Sequence, residues 1–279
     1  MKRRRRLRSR RAVFLLPAAL TLGNIFLGFF SVVQALEGRF FVAATCLVAA
    51  AILDKFDGLV ARRMDAASDF GRELDSLADV VSFGMAPATL AYVWGLNQLP
   101  KLGWATAFVF LMCASIRLAR FNVQDTESDR RFFVGLPTPA AAGVPVSFIF
   151  CHSWHVPAGL AEQETFLAVL LCGLMLLTAF LMVSQVRYFS FKDLDLERRR
   201  RHWALLAVGL TMVALAAWPA IVLPAAALAY LAHGPVMRLT GGRRTQPSTA
   251  SLETAPAGAA LDAEPAAAVA PSDEPEESR

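Results

Sequence analysis

Apolar stretches of roughly membrane-crossing length follow one another along most of this 279-residue chain. A transmembrane helix needs about 20 predominantly apolar residues, because the hydrocarbon core of a bilayer is about 30 Å thick. The sequence therefore predicts an all-α protein, a polytopic transmembrane helical bundle with about eight spans. The predicted spans cover residues 12–36, 39–61, 73–96, 102–121, 137–155, 164–186, 203–217 and 219–238.

The composition and the positions of the basic residues agree with that prediction. Hydrophobic residues make up 56% of the chain, charged residues only 18%, and the mean hydropathy is +0.45, which excludes a single soluble globule of this length. Short cytoplasmic loops of membrane proteins carry an excess of Lys and Arg. If both termini are cytoplasmic, the outer loops hold Arg39 and Lys101, and the other 26 of the 28 basic residues lie on inner segments.

The composition along the chain indicates three regions. Residues 1–11 carry eight Lys or Arg and are expected to form a basic cytoplasmic tail that is attracted to anionic membrane lipids. Residues 12–239 are expected to form a transmembrane domain. Residues 240–279, rich in Ala, Pro, Ser and Glu, are expected to be a disordered cytoplasmic tail, because they cannot bury enough apolar surface. No motif for reading a nucleic-acid groove is present, so no nucleic-acid partner is expected.

Four aspartates stand at the cytoplasmic ends of the second and third predicted spans. Asp54 and Asp57 lie three residues apart, and Asp75 and Asp79 lie four residues apart, so each pair shares one helical face. A carboxylate at the centre of a membrane helix costs roughly 2.5 to 3.5 kcal/mol on insertion scales, and somewhat less near the interface. Such a cluster therefore needs a counter-ion, and we expect a divalent metal.

The residues around these aspartates form the pattern D-x-x-D-G-x-x-A-R, eight residues, then G-x-x-x-D-x-x-x-D. Oxygen ligands suit Mg²⁺ and Mn²⁺, and a pair of such ions can bridge phosphate oxygens. Gly58 and Ala61 remove side-chain bulk from the aspartate face of the helix, which allows a ligand to approach the backbone. Arg62 carries a planar guanidinium suited to a phosphate.

This pattern resembles the signature of the CDP-alcohol phosphatidyltransferases. All eight signature positions are present with the expected spacing: Asp54, Asp57, Gly58, Ala61, Arg62, Gly71, Asp75 and Asp79. The resemblance implies that Asp54, Asp57 and Asp75 hold two divalent ions with help from Asp79. It further implies that Asp79 is the general base, and it implies a homodimer in a bacterial inner membrane with a cytoplasmic active site. The residues implied to bind the CDP-lipid are Asp54, Asp57, Gly58, Ala61, Arg62, Gly71 and Asp75.

The strings from Phe70 to Pro87, Arg117 to Asn122 and Gly135 to Ala140 resemble the members of this family that transfer a phosphatidyl group to L-serine. The implied donor is CDP-diacylglycerol. A serine carboxylate needs a cation, and Arg117 and Arg120, one turn apart at the inner end of the fourth span, are candidates for the acceptor or for phosphate. Asn122 could supply an amide. Arginines at such positions also commonly serve topology and contact lipid headgroups.

Two other functions stay open at this point. The acceptor could be another alcohol, such as glycerol 3-phosphate or an inositol phosphate, although a phosphorylated acceptor calls for more cationic groups than serine does. A divalent metal-ion transporter would also place carboxylates in a membrane. The aspartates, however, flank a short inner loop, and no comparable residues face them from the outer half of the predicted bundle.

Overall fold

The structure, a computed structural model, describes residues 2–63, 69–123, 132–155, 165–184, 186–189 and 201–240. Helices account for nearly all of these residues, which confirms the all-α prediction. Residues 1–241 form one compact unit, and the predicted C-terminal tail falls almost entirely outside the described residues. The elements are α1 (Lys2–Leu36), α2 (Phe40–Arg63), α3 (Asp69–Asp79), a π-helix (Val80–Met85), α4 (Ala86–Trp94), a 3-10 helix (Leu96–Gln98), α5 (Leu102–Val123), β1 (Phe132–Val134), α6 (Thr138–His155), α7 (Thr165–Val183), β2 (Arg187–Phe189), α8 (Arg201–Ala217) and α9 (Pro219–Thr240).

Each predicted span coincides with helical structure. The largest difference is at the N-terminus, where α1 begins at Lys2 and so continues into the predicted basic tail. Within the described residues, four helical segments are long and apolar enough to cross a membrane: Ala18–Leu36, Phe70–Trp94, Leu102–Val123 and Thr165–Val183. That the remaining four predicted spans also cross the membrane stays a prediction.

Helices α1 and α2 form an antiparallel pair with a very tight connection. The chain reverses direction at Gly38, whose φ of 75° is a left-handed conformation that glycine adopts without steric cost. The Ser31 hydroxyl donates to the Ala43 carbonyl (2.9 Å), and Gly23 lies against Leu53 further along the pair. The glycine and serine allow the two backbones to approach closely, as small residues do in membrane helix pairs.

The buried core lies between the helices, and the outer surface is also apolar. Trp94, Phe83 and Phe110 are among the largest fully buried side chains. Phe108 and Phe180, in contrast, are exposed on the outside of the bundle. An exposed apolar surface of this extent is unfavourable in water and suits contact with lipid. The distribution therefore agrees with an integral membrane protein.

A π-helix begins directly after Asp79. It spans Val80–Met85, and the Ala86 N–H donates to the Val81 carbonyl five residues earlier rather than four. Pro87 contributes no N–H to the ordinary α-helical pattern, which favours this departure from it. A π-helix has an extra residue per turn, which rotates the following part of the helix about its axis. The side chains of α4 therefore point in other directions, relative to Asp79, than they would in a continuous α-helix. Such segments occur often at functional sites.

One short feature is not helical. Strands β1 and β2, of three residues each, pair antiparallel and tie the segment before α6 to the segment after α7. Gly135 follows β1 with a φ of 82°, and its N–H donates to the Val186 carbonyl (2.9 Å). A side chain there would collide with the Met182 carbonyl. Gly135 therefore forms a turn that leads from β1 toward α6.

Gly28 generates a prediction about the contact between α1 and the π-helix. An added Cβ would lie 2.5 Å from the Ser82 Oγ and 2.9 Å from the Ser82 Cα. We expect Gly28→Ala to force the helices apart at a cost of about 1 to 3 kcal/mol of stability. We also expect it to lower the thermal unfolding temperature in detergent. Gly173→Ala on α7 is the matched control, because an added Cβ there has no atom within 4 Å, so an equal loss in both variants would contradict the expectation.

Candidate active site

The structure brings the predicted aspartates together between α2 and α3. One carboxylate oxygen from each of Asp54, Asp57 and Asp75 lies within 4.8 Å of the others. Asp79, one turn further along α3, is within hydrogen-bonding reach of Asp54. Asp57 is only 4% exposed, and the other three side chains are partly buried. Two pairs of aspartates that are at least 18 residues apart in sequence thus form one acidic pocket, which we call the aspartate pocket.

Few charged partners compensate these carboxylates. The Lys55 ammonium lies 4.0 Å from the Asp54 carboxylate, but the lysine side chain is 79% exposed, so water screens its charge. The Arg117 guanidinium interacts electrostatically with Asp79. Among the described side chains, Lys55 and Arg117 thus bring positive charge near the four carboxylates. Bringing the carboxylates together in a low-dielectric setting costs free energy unless further positive charge is present.

The donor atoms of the aspartate pocket fit a divalent metal ion. The Oδ1 atoms of Asp75 and Asp79 are buried and have no hydrogen-bond partner among the described residues. The Thr21 hydroxyl donates to the Asp57 Oδ2 (3.3 Å), and the Gly58 backbone also hydrogen-bonds to this carboxylate. Hard oxygen donors at this spacing suit Mg²⁺ or Mn²⁺. The residues present thus agree with the predicted cofactor, while the identity and number of the ions stay predictions.

The small residues of the motif border open space. An added Cβ at Gly58 has no atom within 4 Å, so no packing contact requires a glycine there, and a ligand could approach α2 at this point. Gly71 is partly buried in the first turn of α3, one turn before Asp75. Ala61 and Arg62 lie in the last turns of α2, but their side chains are outside the described part of the structure. Their predicted contacts with the CDP-lipid therefore stay predictions.

Arg117 extends the aspartate pocket toward α6 and α9. Its Nη1 donates to the Thr138 Oγ1 (2.9 Å), and its guanidinium interacts electrostatically with Asp79 and Tyr230. The Arg117 Nε is buried and has no hydrogen-bond partner among the described residues. Because a buried guanidinium N–H normally has an acceptor, this atom is free to bind an oxygen of a ligand.

The other two candidates for the acceptor site are placed differently. Arg120 is exposed. Asn122 is also exposed, and its Nδ2 donates to the Ser76 Oγ (3.0 Å), which links the end of α5 to α3. Of the three residues that the sequence suggested, Arg117 is thus the one that lies against the aspartate pocket.

Three side chains at this site were not predicted: Thr21, Thr138 and Tyr230. Thr21 could have been found, because it occurs with Asn24 and Ser31 on one face of an otherwise apolar span. Thr138 lies between two prolines in the string from Gly135 to Ala140, which carries the family resemblance but indicates no role for this hydroxyl. Tyr230 is an isolated residue in the apolar helix α9, and no sequence pattern marks it.

Comparison with known proteins agrees with this geometry. The family model for CDP-alcohol phosphatidyltransferase matches residues 14–186, which include the aspartate pocket, Arg117 and Thr138. This chain belongs to the CDP-alcohol phosphatidyltransferase family. The family prediction made from the spacing of the aspartates is confirmed.

Within this family, the chain is similar to several proteins named CDP-diacylglycerol–serine O-phosphatidyltransferase. The one from Helicobacter pylori strain J99 is 39% identical over 181 residues, which are 64% of this chain and 74% of the relative. The one from Mycobacterium leprae is 36% identical over 238 residues, covering 82% of this chain and 76% of the relative. The one from Bacillus subtilis is 35% identical over 177 residues, covering 63% and 91%.

The aspartate pocket generates a prediction about metal-dependent stability. We expect Mn²⁺ or Mg²⁺ to raise the thermal unfolding temperature of the protein, because ions that bind only the folded state stabilise it. In Asp57→Asn, the unfolding temperature without metal should be unchanged or higher, because one buried like charge is removed, while the metal-dependent rise should be lost.

The matched control is Glu73→Gln, which removes an exposed carboxylate from α3 outside the aspartate pocket. This variant should respond to metal as the unmodified protein does. Mn²⁺ titration followed by electron paramagnetic resonance would measure binding directly. Equal Mn²⁺ affinity in Asp57→Asn and in the unmodified protein would contradict the metal assignment.

Proposed function

We propose that this protein transfers the phosphatidyl group of CDP-diacylglycerol to L-serine, with phosphatidylserine and CMP as products. The observation that carries the proposal is the aspartate pocket in a chain of this family, whose similar relatives bear the name of that reaction. The alternative of a metal-ion transporter explains neither family membership nor the position of the cluster between two helix ends.

The donor would bind at the aspartate pocket. Asp54, Asp57, Asp75 and Asp79 would hold the metal, Mg²⁺ or Mn²⁺, and its positive charge would offset the negative charge of the clustered carboxylates. A second ion would accompany the diphosphate, which brings negative charge of its own. Bound metal would neutralise phosphate charge and favour departure of CMP. The open face beside Gly58, together with Ala61, Arg62 and Gly71, is proposed to receive the rest of the CDP group.

Asp79 is proposed to act as the general base. Its Oδ1 is buried without a hydrogen-bond partner among the described residues, so it can accept the proton of the serine hydroxyl. The serine oxygen forms a bond to the phosphorus that carries diacylglycerol. The bond from that phosphorus to the CMP oxygen breaks, and CMP leaves with the electron pair. A positioned base contributes about 10²- to 10⁴-fold to such a step.

Arg117 is proposed to bind the serine carboxylate. The Thr138 hydroxyl holds one end of its guanidinium, and its positive charge interacts with the proposed base, Asp79. A phosphorylated acceptor, such as glycerol 3-phosphate or an inositol phosphate, would need further cations at this point. Arg120 and Asn122 stay proposed members of the acceptor site, but their exposure makes them weaker candidates.

The setting proposed for this reaction is a bacterial inner membrane, with both termini and the aspartate pocket on the cytoplasmic side. CDP-diacylglycerol would enter laterally from the inner leaflet, while serine would arrive from the cytoplasm. The domain limits proposed from the sequence, residues 12–239 between two cytoplasmic tails, and the homodimer belong to the same proposal.

The proposed reaction is tested by measuring CMP release by purified protein from CDP-diacylglycerol, with metal and a panel of labelled alcohols. Product formation with another alcohol and none with serine would overturn it.

The role of Asp79 leads to a prediction for Asp79→Asn. The amide cannot take a proton at neutral pH, so we expect kcat to fall by about 10² to 10⁴. CDP-diacylglycerol binding, measured without serine, should be largely retained because the other three aspartates remain. Turnover close to that of the unmodified protein would rule out Asp79 as the base.

The role of Arg117 leads to a separate prediction. Arg117→Ala removes hydrogen bonds to a charged ligand, so KM for serine should rise by roughly tenfold to a hundredfold. Donor affinity should change less than KM for serine. Arg39→Ala is the control, because it removes a cation in the connection between α1 and α2, where Arg39 pairs with Glu37 (3.3 Å). An unaltered KM for serine in Arg117→Ala would contradict the proposed carboxylate binding and would indicate that this arginine serves only the membrane topology.

A further inference from the structure

Asn24 is a buried amide whose hydrogen-bonding atoms the fold does not use. The residue is 0% exposed, and neither its Nδ2 nor its Oδ1 has a hydrogen-bond partner among the described residues. Leaving a buried donor and acceptor unpaired costs free energy, and nearly all such groups in proteins are satisfied. In α1, Asn24 is therefore unusual, and a partner outside the protein chain would account for it.

The surroundings of Asn24 place it beside the aspartate pocket. Thr21 lies one turn earlier on the same face of α1, and its hydroxyl donates to Asp57. On the next turn, the Asn24 backbone carbonyl accepts a hydrogen bond from the Ser82 Oγ (2.9 Å). Ser82 is three residues after Asp79 in the same helical stretch. Along α1, Thr21 thus lies beside Asp57, and Asn24 lies beside the turn that follows Asp79.

Contacts with α2 lead to the same placement. Gly23, the neighbour of Asn24, lies so close to Leu53 that an added Cβ would be 2.9 Å from the leucine Cδ2. Leu53 is next to Asp54, which in turn is within hydrogen-bonding reach of Asp79. Asn24 therefore lies at the level of Asp54 and Asp79, at the end of the aspartate pocket that is further from the connection between α2 and α3.

A structural role does not explain the Asn24 side chain. The hydrogen bond that joins α1 to the π-helix uses the Asn24 backbone carbonyl, so any residue at this position could make it. The amide N–H groups can donate, and no carboxylate oxygen of the described residues accepts from them. A ligand that is rich in acceptor oxygens would satisfy the amide, and a phosphate group meets this requirement.

We propose that Asn24 binds the phosphate that is transferred, with its Nδ2 donating to a nonbridging oxygen of that group. This inference rests on the proposed function, because Asp79 can act as base only if the attacked phosphorus lies beside it. Asn24 is at the level of Asp79, so the phosphate that it reaches is the one attached to diacylglycerol. The phosphate that stays in CMP would lie nearer Asp57 and Thr21.

The test is Asn24→Leu, with donor binding measured at equilibrium in the absence of serine. Leucine has nearly the same shape and removes both unpaired atoms, so the variant without ligand should be as stable as the unmodified protein or more stable. The dissociation constant for CDP-diacylglycerol should rise about tenfold or more, as expected for a lost hydrogen bond to a charged group. Affinity for CMP, which lacks the transferred phosphate, should change much less.

Two further variants keep the test decisive. Asn24→Asp preserves the shape but replaces the donor with a carboxylate at neutral pH, so it should also weaken CDP-diacylglycerol binding even if Asn24→Leu fails to fold. Ser31→Ala is the matched control on α1. It removes a buried hydroxyl that donates to the Ala43 carbonyl, so it should lower stability without altering donor affinity.

The outcomes separate this inference from the proposed function. If the unmodified protein binds CDP-diacylglycerol and forms phosphatidylserine while both Asn24 variants bind the donor equally well, the inference alone is wrong. Equal losses of CMP and CDP-diacylglycerol affinity would also overturn it, because they would place Asn24 at another part of the ligand. If the unmodified protein does not bind CDP-diacylglycerol, both the proposed function and the inference fail.

Discussion

Electrostatic repulsion among four carboxylates at the ends of two helices is the constraint on which this structure depends. Asp54, Asp57, Asp75 and Asp79 approach one another while few described cations face them. Packing of apolar and small residues elsewhere in the bundle must hold α2 and α3 in place against this repulsion. Added positive charge would therefore stabilise the folded protein. A divalent metal ion, which can also bind a diphosphate, is chemically suited to supply it.

Helix α1 supplies the close packing that positions this cluster. Gly23 and Gly28 allow its backbone to lie against α2 and the π-helix. An added Cβ at Gly28 would collide with the Ser82 backbone, whereas at Gly23 the end of the Leu53 side chain would have to move. The polar side chains of α1 then reach the aspartate pocket from a third direction. The same helix therefore contributes both to stability and to the proposed binding of the donor. A change on α1 can alter activity even though α1 carries none of the signature aspartates.

The helices and the acidic cluster could both be predicted from the sequence, each for a different physical reason. Apolar runs of about 20 residues have few stable alternatives to a helix in lipid, because each backbone group must find its partner within the segment. Helical periodicity then places Asp54 with Asp57 and Asp75 with Asp79 without any knowledge of tertiary structure. Helical periodicity did not reveal the π-helix after Asp79, because a regular repeat of 3.6 residues contains no sign of a local change of register.

The sequence by itself determined the helical class, the family and the acidic residues of the site, because hydropathy and spacing along one chain contain that information. Only the tertiary structure decided which partners complete the site. Arg117 and Arg120 are equivalent in sequence, yet packing against α6 turns one toward Asp79 while the other is exposed. Asn24 and Tyr230 come from helices remote in sequence, and their places beside the cluster depend on how the helices pack, which no local pattern encodes.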